Sequence, residues 1–488
     1  MSIITDKRNQ LIQFSFTTGS TILVFGFINF LLNFLSLVFK SPLGVWQFWA
    51  SAVLSLIFLL NLFFKFFSKK VLAIGLSLVS IAIIALSFFF SLQISNQFLD
   101  TSYDGQAYQG EAILELKAGW NPVYQRATGY TGSGGNRHQI WLNAYPKADW
   151  MNAVNVTDLT GNFESGKVYN LWFALASFFL VLAALLSIDK LNKYWVLPIA
   201  IIAVLNPVTI TQIATYMTDG IVYSLLLSLL AIAVLIYNRD GGFKDFQMKQ
   251  YLLIFVSTTI LFINVKTVGL VYSCILLFAF LIYLYALKSK HFFKIILVSL
   301  VSLYLALFVF GYNPYITNIN YNGNILYPVF GKNAYNFKSV DNLPPNLLDK
   351  NNFEILAVSG FLKSDNTTGN GDVAQLKTPF TVQDGEVKAF QSSGPKKGGY
   401  GPYYGGSIII VGVVILLFLL FQILSKNNLS KLEKESEIYK ESYQKYTQNW
   451  NYFYTYSFIV LFLLFSALLN SASSFSRYVP QLWLVPIV

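Results

Sequence analysis

The feature that most constrains this chain is a series of long apolar runs separated by short basic stretches. Ile22–Phe39, Val53–Phe67, Val71–Phe90 and Ile408–Leu424 are nearly free of charge, and with modest extension each reaches the about 20 apolar residues needed to cross a hydrocarbon core. A bilayer offers the backbone no water to bond, so a crossing segment must satisfy itself as a helix or within a closed barrel, and runs of this length select the helix. Charged residues make up only 12% of the chain, against about a quarter in soluble domains. The expected fold class is an all-α polytopic membrane protein.

Lys and Arg number 34 against 23 Asp and Glu. In a membrane protein that excess is a topology signal, since basic residues gather in cytoplasmic loops, and it gives no reason to expect nucleic acid as a partner. Lys-rich connections at 65–70, 189–193, 239–249, 288–294 and 426–445 alternate with less basic ones at 40–47, 95–168, 206–219, 264–266, 312–404 and 470–481. The apolar run after Lys7 and Arg8 is too long for a removable signal peptide and lacks a small-residue cleavage site, so the N-terminus is expected to stay cytoplasmic. This alternation predicts about 11 to 12 transmembrane helices, the last a partial one opening at Leu482. Residues 1–94 hold three spans, 95–168 a first long outer loop, 169–311 a transmembrane core, 312–404 a second long outer loop, and 405–488 the C-terminal spans with a charged cytoplasmic loop at 426–450. Pro198, Pro207 and Asp219 interrupt the run Leu197–Leu230. Both a broken or re-entrant helix and a plain tight hairpin fit that pattern. With one cysteine, Cys274, and only His138 and His291 beside it, neither an internal disulfide nor a soft-metal site is expected, and Cys274 is read as a small core residue.

Loops longer than about 15 residues are uncommon between spans and tend to carry function. In the first, Thr101–Trp120 begins with capping residues and reaches Gly119, which marks the end of a short helix. At about 100° per residue Asp104, Glu111 and Glu115 fall within a strip about 40° wide, with Tyr108 at its edge. Ala107, Leu114 and Ala118 flank the strip on one side and Ala112 and Leu116 on the other, a pattern suited to a helix resting on the membrane surface with its acids inward. A helix N-cap is the plain structural role for Asp104; a solvated face is that for Glu115. The stretch Asn143–Trp150 leads into a second helix ending at Gly161, and the glycine run Thr131–Asn136 lacks the Gly-Lys-Ser/Thr of a Walker loop. Arg126, Arg137 and Lys147 place positive charge in an outer loop, against the cytoplasmic bias, which raises the question of which anion they meet. Tyr103, Trp120, Trp141 and Trp150 suit either sugar stacking or the interfacial aromatic belt. Asn155-Val-Thr157 and Asn366-Thr-Thr368 match glycosylation acceptors, for which chance occurrence suffices.

The order of short motifs points further. Asp104-Gly-Gln-Ala-Tyr108 resembles the Asp-x-x-x-Tyr neighbourhood in the first large outer loop of the GT-C superfamily of lipid-dependent glycosyltransferases, which includes protein mannosyltransferases and aminoarabinose transferases. Leu116–Pro122, Tyr145-Pro-Lys147, Leu159–Gly161, Asn206-Pro207, Tyr216–Gly220, Asn264–Gly269, Asn313–Tyr315, Tyr321–Asn324, Tyr327-Pro328 and Arg477–Pro480 resemble, in order, the serial signatures of bacterial GT-C-like membrane proteins. Three spans precede the first loop here, where the common GT-C arrangement has one, so Asp104 is matched by local motif.

That resemblance implies a multi-pass protein of the bacterial cytoplasmic (inner) membrane, with its site on the extracytoplasmic face. It implies a polyprenyl-phosphate sugar donor and a lipid, glycan or protein acceptor. Asp104 would then act as general base toward the acceptor hydroxyl. A phosphate leaving group already departs as an anion and asks for positive charge, for which Lys266 as a point charge and Arg477 as a bidentate fork are the candidates. Snorkelling to the interface is their plain alternative. Tyr108, Glu111, Arg137, Tyr145 and Lys147 complete the candidate binding set, with Asp219 as a helix cap or sugar contact. A divalent cation, Mg or Mn, bridged by Asp104 and Glu111 fits oxygen ligands, though nothing in the spacing requires one. A lipid-linked oligosaccharide flippase or transporter would call for internal repeats and charges deep in the spans, and an O-antigen ligase or polymerase would leave the acid-bearing first loop unexplained.

Overall fold

A computed structural model describes residues 2–127, 137–189, 191–238, 245–286, 292–331, 334–364, 373–389, 392–394, 398–429 and 436–487. The chain forms two compact units, 1–336 and 337–488, which divide within the second long loop. Among the described residues the structure is helical, with a single isolated bridge between Leu362 and Leu376 in place of any strand.

The first unit is built from α1 (Ser2–Val38), α2 (Val45–Phe66), α3 (Lys70–Gln97), α4 (Gly110–Lys117), α5 (Arg137–Ala144), α6 (Ala148–Thr160), α7 (Val168–Leu186), α8 (Lys193–Val204), α9 (Pro207–Gln212), α10 (Asp219–Tyr237), α11 (Phe246–Val265), α12 (Thr267–Ala286), α13 (Phe292–Tyr304) and α14 (Thr317–Asn322). The second contains α15 (Asn352–Ser359), α16 (Glu386–Ala389), α17 (Tyr404–Leu429) and α18 (Glu437–Leu468). Nine helices among the described residues are long and apolar enough to cross a membrane, and α8 and the Tyr456–Leu468 part of α18 are shorter apolar helices. The polytopic helical class therefore holds. Pro480–Leu484 winds as a 3-10 turn with Leu482 and Leu484 buried in the second unit.

In the first unit α1 packs against α2, α7 and α11, and α7 against α10. Close approach is written into α1, where a Cβ at Gly26 would run into the Phe173 ring of α7, so a small residue is what lets the two helices meet. Phe16, Phe30, Phe173 and Phe255 fill the interior. Cys274 is exposed on α12 and is not a core residue; a thiol tolerates an apolar lipid-facing site as readily as a protein interior.

The two ends of this unit are distinct. Arg8, near the start of α1, donates to the carbonyls of Leu186 (2.7 Å), Ile188 (2.6 Å) and Asp189 (3.2 Å), capping the C-terminus of α7. At the opposite end Asn121 and Tyr124 of the first long loop donate to the last carbonyls of α1, Leu37 and Val38, each at 2.7 Å. The first long loop thus gathers at the end away from Arg8.

The interrupted run is a broken element. Pro198 lies inside α8, the chain leaves helix at Leu205, and Asn206 caps the short α9 by accepting from the Val208 amide at 2.8 Å, with Pro207 at its first position. A turn at 213–218 then leads into α10.

α6 belongs to the first long loop, yet Ala148–Thr157 are all buried, packed among α1, α2, α4 and α11. Its side chains Asn152 and Asn155 explain how a polar helix sits there. Asn33 of α1 donates to Asn155 Oδ1 at 2.6 Å and to the Met151 carbonyl at 3.2 Å. Asn155 in turn donates to the Gly44 carbonyl at 2.7 Å, and Asn152 to that of Gly26 at 3.0 Å. A buried amide is tolerated when its hydrogen bonds are made. Asn155, fully buried, is no glycan acceptor, and Asn366 lies outside the described residues.

The second unit has a core of Leu343, Leu347, Ile355, Leu362, Ala374 and Ala472. Beside it Lys377 and Glu386 form an ion pair at 2.7 Å with side chains nearly without exposure.

Candidate functional site

The site begins with Asp100. Its carboxylate accepts from the Ser102 amide (2.8 Å) and from the Tyr216 amide (2.7 Å), tying the start of the first long loop to the turn before α10. Ser102 then caps the next helical turn, its hydroxyl accepting from the Gly105 amide at 3.1 Å. A Cβ at Gly105 would collide with the Asp100 carboxylate, so only glycine fits beneath this cap.

Because Ser102 caps, Asp104 does not. It has helical φ and ψ, makes no cap hydrogen bond, and its carboxyl is half-buried. Gly105–Gln109 then wind as a π turn that runs into α4. Wider i→i+5 turns of this kind are rare and concentrate at functional sites. The π turn also revises the acid strip. Glu111 and Glu115 remain a turn apart and half-buried on α4, but the wider turn rotates Asp104 away from their face, because the strip assumed an uninterrupted α-helix. α4 buries Ala112, Ile113 and Leu116 and leaves Leu114 exposed. Gly119 and Gly161 end α4 and α6 at φ values of 100° and 69°, as their sequence positions predict.

The same turn carries Tyr108 into an aromatic cluster. Its ring centroid lies 6.0 Å from Trp141 and 5.8 Å from Tyr145, and Trp141 also meets Tyr335 at 5.4 Å. His138, at the start of α5, bonds the Ala107 carbonyl through Nδ1, fixing α5 against the π turn. Tyr108 and Tyr145 are therefore brought together. Arg137 opens α5, and its side chain lies outside the described residues, as does the glycine run before it.

Lys147 is not a cation presented to a ligand. It is fully buried, donates to the carbonyls of Tyr145 (2.6 Å) and Asn143 (3.4 Å), and lies 5.7 Å and 5.5 Å from the ring centres of Trp120 and Trp150. It satisfies the C-terminal carbonyls of α5 and stacks between two indoles, and burial holds its pKa well below the ordinary lysine value.

Asp219 and Lys266 form a buried ion pair, which assigns both differently from expectation. Thr218 occupies the N-cap position, so Asp219 is the first residue of α10, and its second oxygen accepts from Gln212 Nε2 at 3.2 Å. Gln212 Oε1 in turn accepts from the Gly220 amide at 2.9 Å. Lys266 is the one extended residue between α11 and α12, which aims its side chain across at α10. Its charge is thus balanced within the protein and does not snorkel to the interface. Arg477 belongs to the second unit, where its guanidinium lies 4.7 Å from the Phe475 ring centre and 5.0 Å from that of Tyr478, donating to the Tyr478 hydroxyl at 3.3 Å.

Several groups in this region have no forewarning in the sequence. Asp149, in the first turn of α6, is buried, and burial pushes its pKa up to about 7. Glu164 pairs with the buried Lys167 at 2.5 Å and accepts from the Asp100 amide at 3.2 Å. Tyr216 is surrounded by Asp100, Asp149 and Glu164; burial first, then these carboxylates, raises its pKa. Acids followed by apolar residues at a loop-to-helix junction read as caps, and nothing in their spacing announces that three helices close over them. Among the described residues no three Asp, Glu, His or Cys side chains converge as metal ligands.

No family model, no protein of known function and no solved structure matches this chain.

Proposed function

We propose that this chain is an integral membrane glycosyltransferase that moves a sugar from a polyprenyl-phosphate donor to an acceptor hydroxyl at the loop-bearing end of its helices, the extracytoplasmic side. One observation supports this most. Asp104, half-buried, opens a π turn that delivers Tyr108 into the cluster with Trp141 and Tyr145. A carboxylate on the same short segment as a cluster of aromatic rings suits sugar chemistry, since rings accept the apolar face of a pyranose while the acid handles its hydroxyls. In this reading Asp104 takes the acceptor's proton as the acceptor oxygen bonds to the anomeric carbon. The bond from that carbon to the donor phosphate breaks, the phosphate leaves as an anion, and the anomeric centre inverts. The Asp219–Lys266 pair holds the turn before α10 in place, and through Asp100 and Tyr216 that turn fixes the start of the Asp104 segment.

The test is transfer of labelled sugar from a panel of polyprenyl-phosphate donors in membranes holding equal amounts of intact protein or Asp104→Asn. The expected result is protein-dependent transfer that falls by about 10² or more in the variant, the scale of a lost general base. Full activity in the variant removes Asp104 from the mechanism. Movement of lipid-linked sugar across the bilayer without transfer would replace this reading with a flippase.

A further inference from the structure

A cavity of about 180 Å³ lies in the first unit, lined by Arg126, Ala127, Gln139, Ile140, Asn143, Ala144, Asn322 and Tyr327. Its walls are fixed by two asparagine clamps. Asn143 accepts from the Ala127 amide at 2.8 Å and donates to the Ala127 carbonyl at 3.1 Å and the Gln139 carbonyl at 3.0 Å. Asn318 donates to the carbonyls of Ala144 (3.2 Å) and Tyr327 (2.7 Å), locking the far wall to the end of α5. Such bonds order the pocket before any ligand arrives, which lowers the entropy cost of binding.

Its lining is unequal in charge. Among the described lining residues Arg126 is the one charged side chain and none is a carboxylate. The guanidinium lies 4.6 Å from the ring centre of Tyr321, a stacking that holds its fork in one plane at an exposed position. Gln139, Asn322 and Tyr327 add hydrogen-bonding groups, while Ala127, Ile140 and Ala144 supply an apolar floor. The volume is below the about 300–1,000 Å³ of pockets for drug-sized ligands, so one ring-sized group fills it.

We infer that this cavity binds a single sugar unit bearing one anionic substituent, a carboxylate or a phosphate. Arg126 takes the anion through two parallel hydrogen bonds, the amides and the tyrosine take hydroxyls, and the apolar floor takes a ring face. The inference does not rest on the transferase reading, since its readout is binding.

The experiment uses the full chain purified in detergent and measures saturable binding of glucuronate, glucose 6-phosphate, glucose and inorganic phosphate by calorimetry. At least one charged sugar should bind at least tenfold more tightly than glucose and than inorganic phosphate, and which one does so identifies the substituent. Arg126→Gln should abolish that advantage, Arg126→Lys should keep part of it, and Gln139→Glu should weaken it by repulsion. Circular dichroism checks that each variant remains folded. Equal binding of glucose and the charged sugars, phosphate alone binding as well as the sugar phosphate, no saturable binding of any probe, or an Arg126→Gln protein that binds like the parent would each overturn the assignment.

Discussion

Asp149 sits in an environment far from what its type prefers. An ordinary carboxyl has a pKa near 3.8, whereas burial in the first turn of α6 raises this one to about 7. Between those values the folded chain binds a proton that the unfolded chain has lost, so Asp149 makes stability fall as pH rises from about 4 to about 7 and then level off. Asp149→Asn keeps the shape and removes the charge. Thermal unfolding in detergent at pH 5 and pH 8 should show the variant more stable than the parent at pH 8, with the gap narrowing at pH 5. The whole shift expressed as stability would be on the order of 4 kcal/mol, which is a ceiling. Parallel curves for the two proteins would sink the claim. Asp104 and Asp149 also mark what sequence reading can and cannot see at this scale. The short motif around Asp104 draws attention to it without reference to anything distant. Asp149 and the Asp219–Lys266 pair depend on partners that only tertiary packing brings near, the latter across 47 positions.

At the scale of elements the apolar runs, the proline-broken segment and the glycine helix ends are legible, because each rests on local backbone and solvation rules. The π turn at Gly105–Gln109 is not, since one extra residue in a turn has no composition of its own. The burial of α6 is equally hidden, because a helix containing Asn152, Asn155 and Asp158 reads as an outer one until its amides are seen bonded to α1 and to the Gly44 carbonyl. That network makes a prediction: Asn155→Leu removes the acceptor of Asn33 and the donor to Gly44, leaving buried groups unmade at about 1–3 kcal/mol. Hydrogen exchange should speed up in α6 relative to α7 in this variant. Unchanged protection would show that α6 is held by its apolar contacts alone. The Lys377–Glu386 pair of the second unit gives a sharper case. Glu386 also accepts from the amides of Ser364 (2.9 Å) and Gln383 (2.8 Å). Lys377→Met leaves that carboxylate buried and charged, costing about 3–5 kcal/mol. The double variant with Glu386→Gln should recover part of the loss in thermal unfolding, and a single variant as stable as the parent would exclude a structural role.

Considered whole, the chain divides its polar and apolar surfaces in the way a bilayer demands. Only 6% of the apolar window of α17 and 17% of that of α3 is buried within the protein, so both turn most of their surface outward to a solvent that must be lipid. Trp46 and Trp49 are exposed at the start of α2, at the loop-bearing end of the first unit, and Tyr194 and Trp195 are exposed at the start of α8, at the end held by Arg8. Aromatic rings at both ends mark two interfaces. In the first unit the connection between α2 and α3, with Lys65, Lys69 and Lys70, falls at the Arg8 end, where the positive-inside rule sets the cytoplasm, so the first long loop and Asp104 should face away from it. Cysteine accessibility decides this in intact cells. In a Cys274→Ser background, Ala118→Cys in the first long loop should react with a membrane-impermeant maleimide before lysis, while Ser68→Cys between α2 and α3 should react only after permeabilisation. The reverse pattern would put the loops in the cytoplasm, where polyprenyl-phosphate sugars are made, and would end the reading of Asp104 as an extracytoplasmic base.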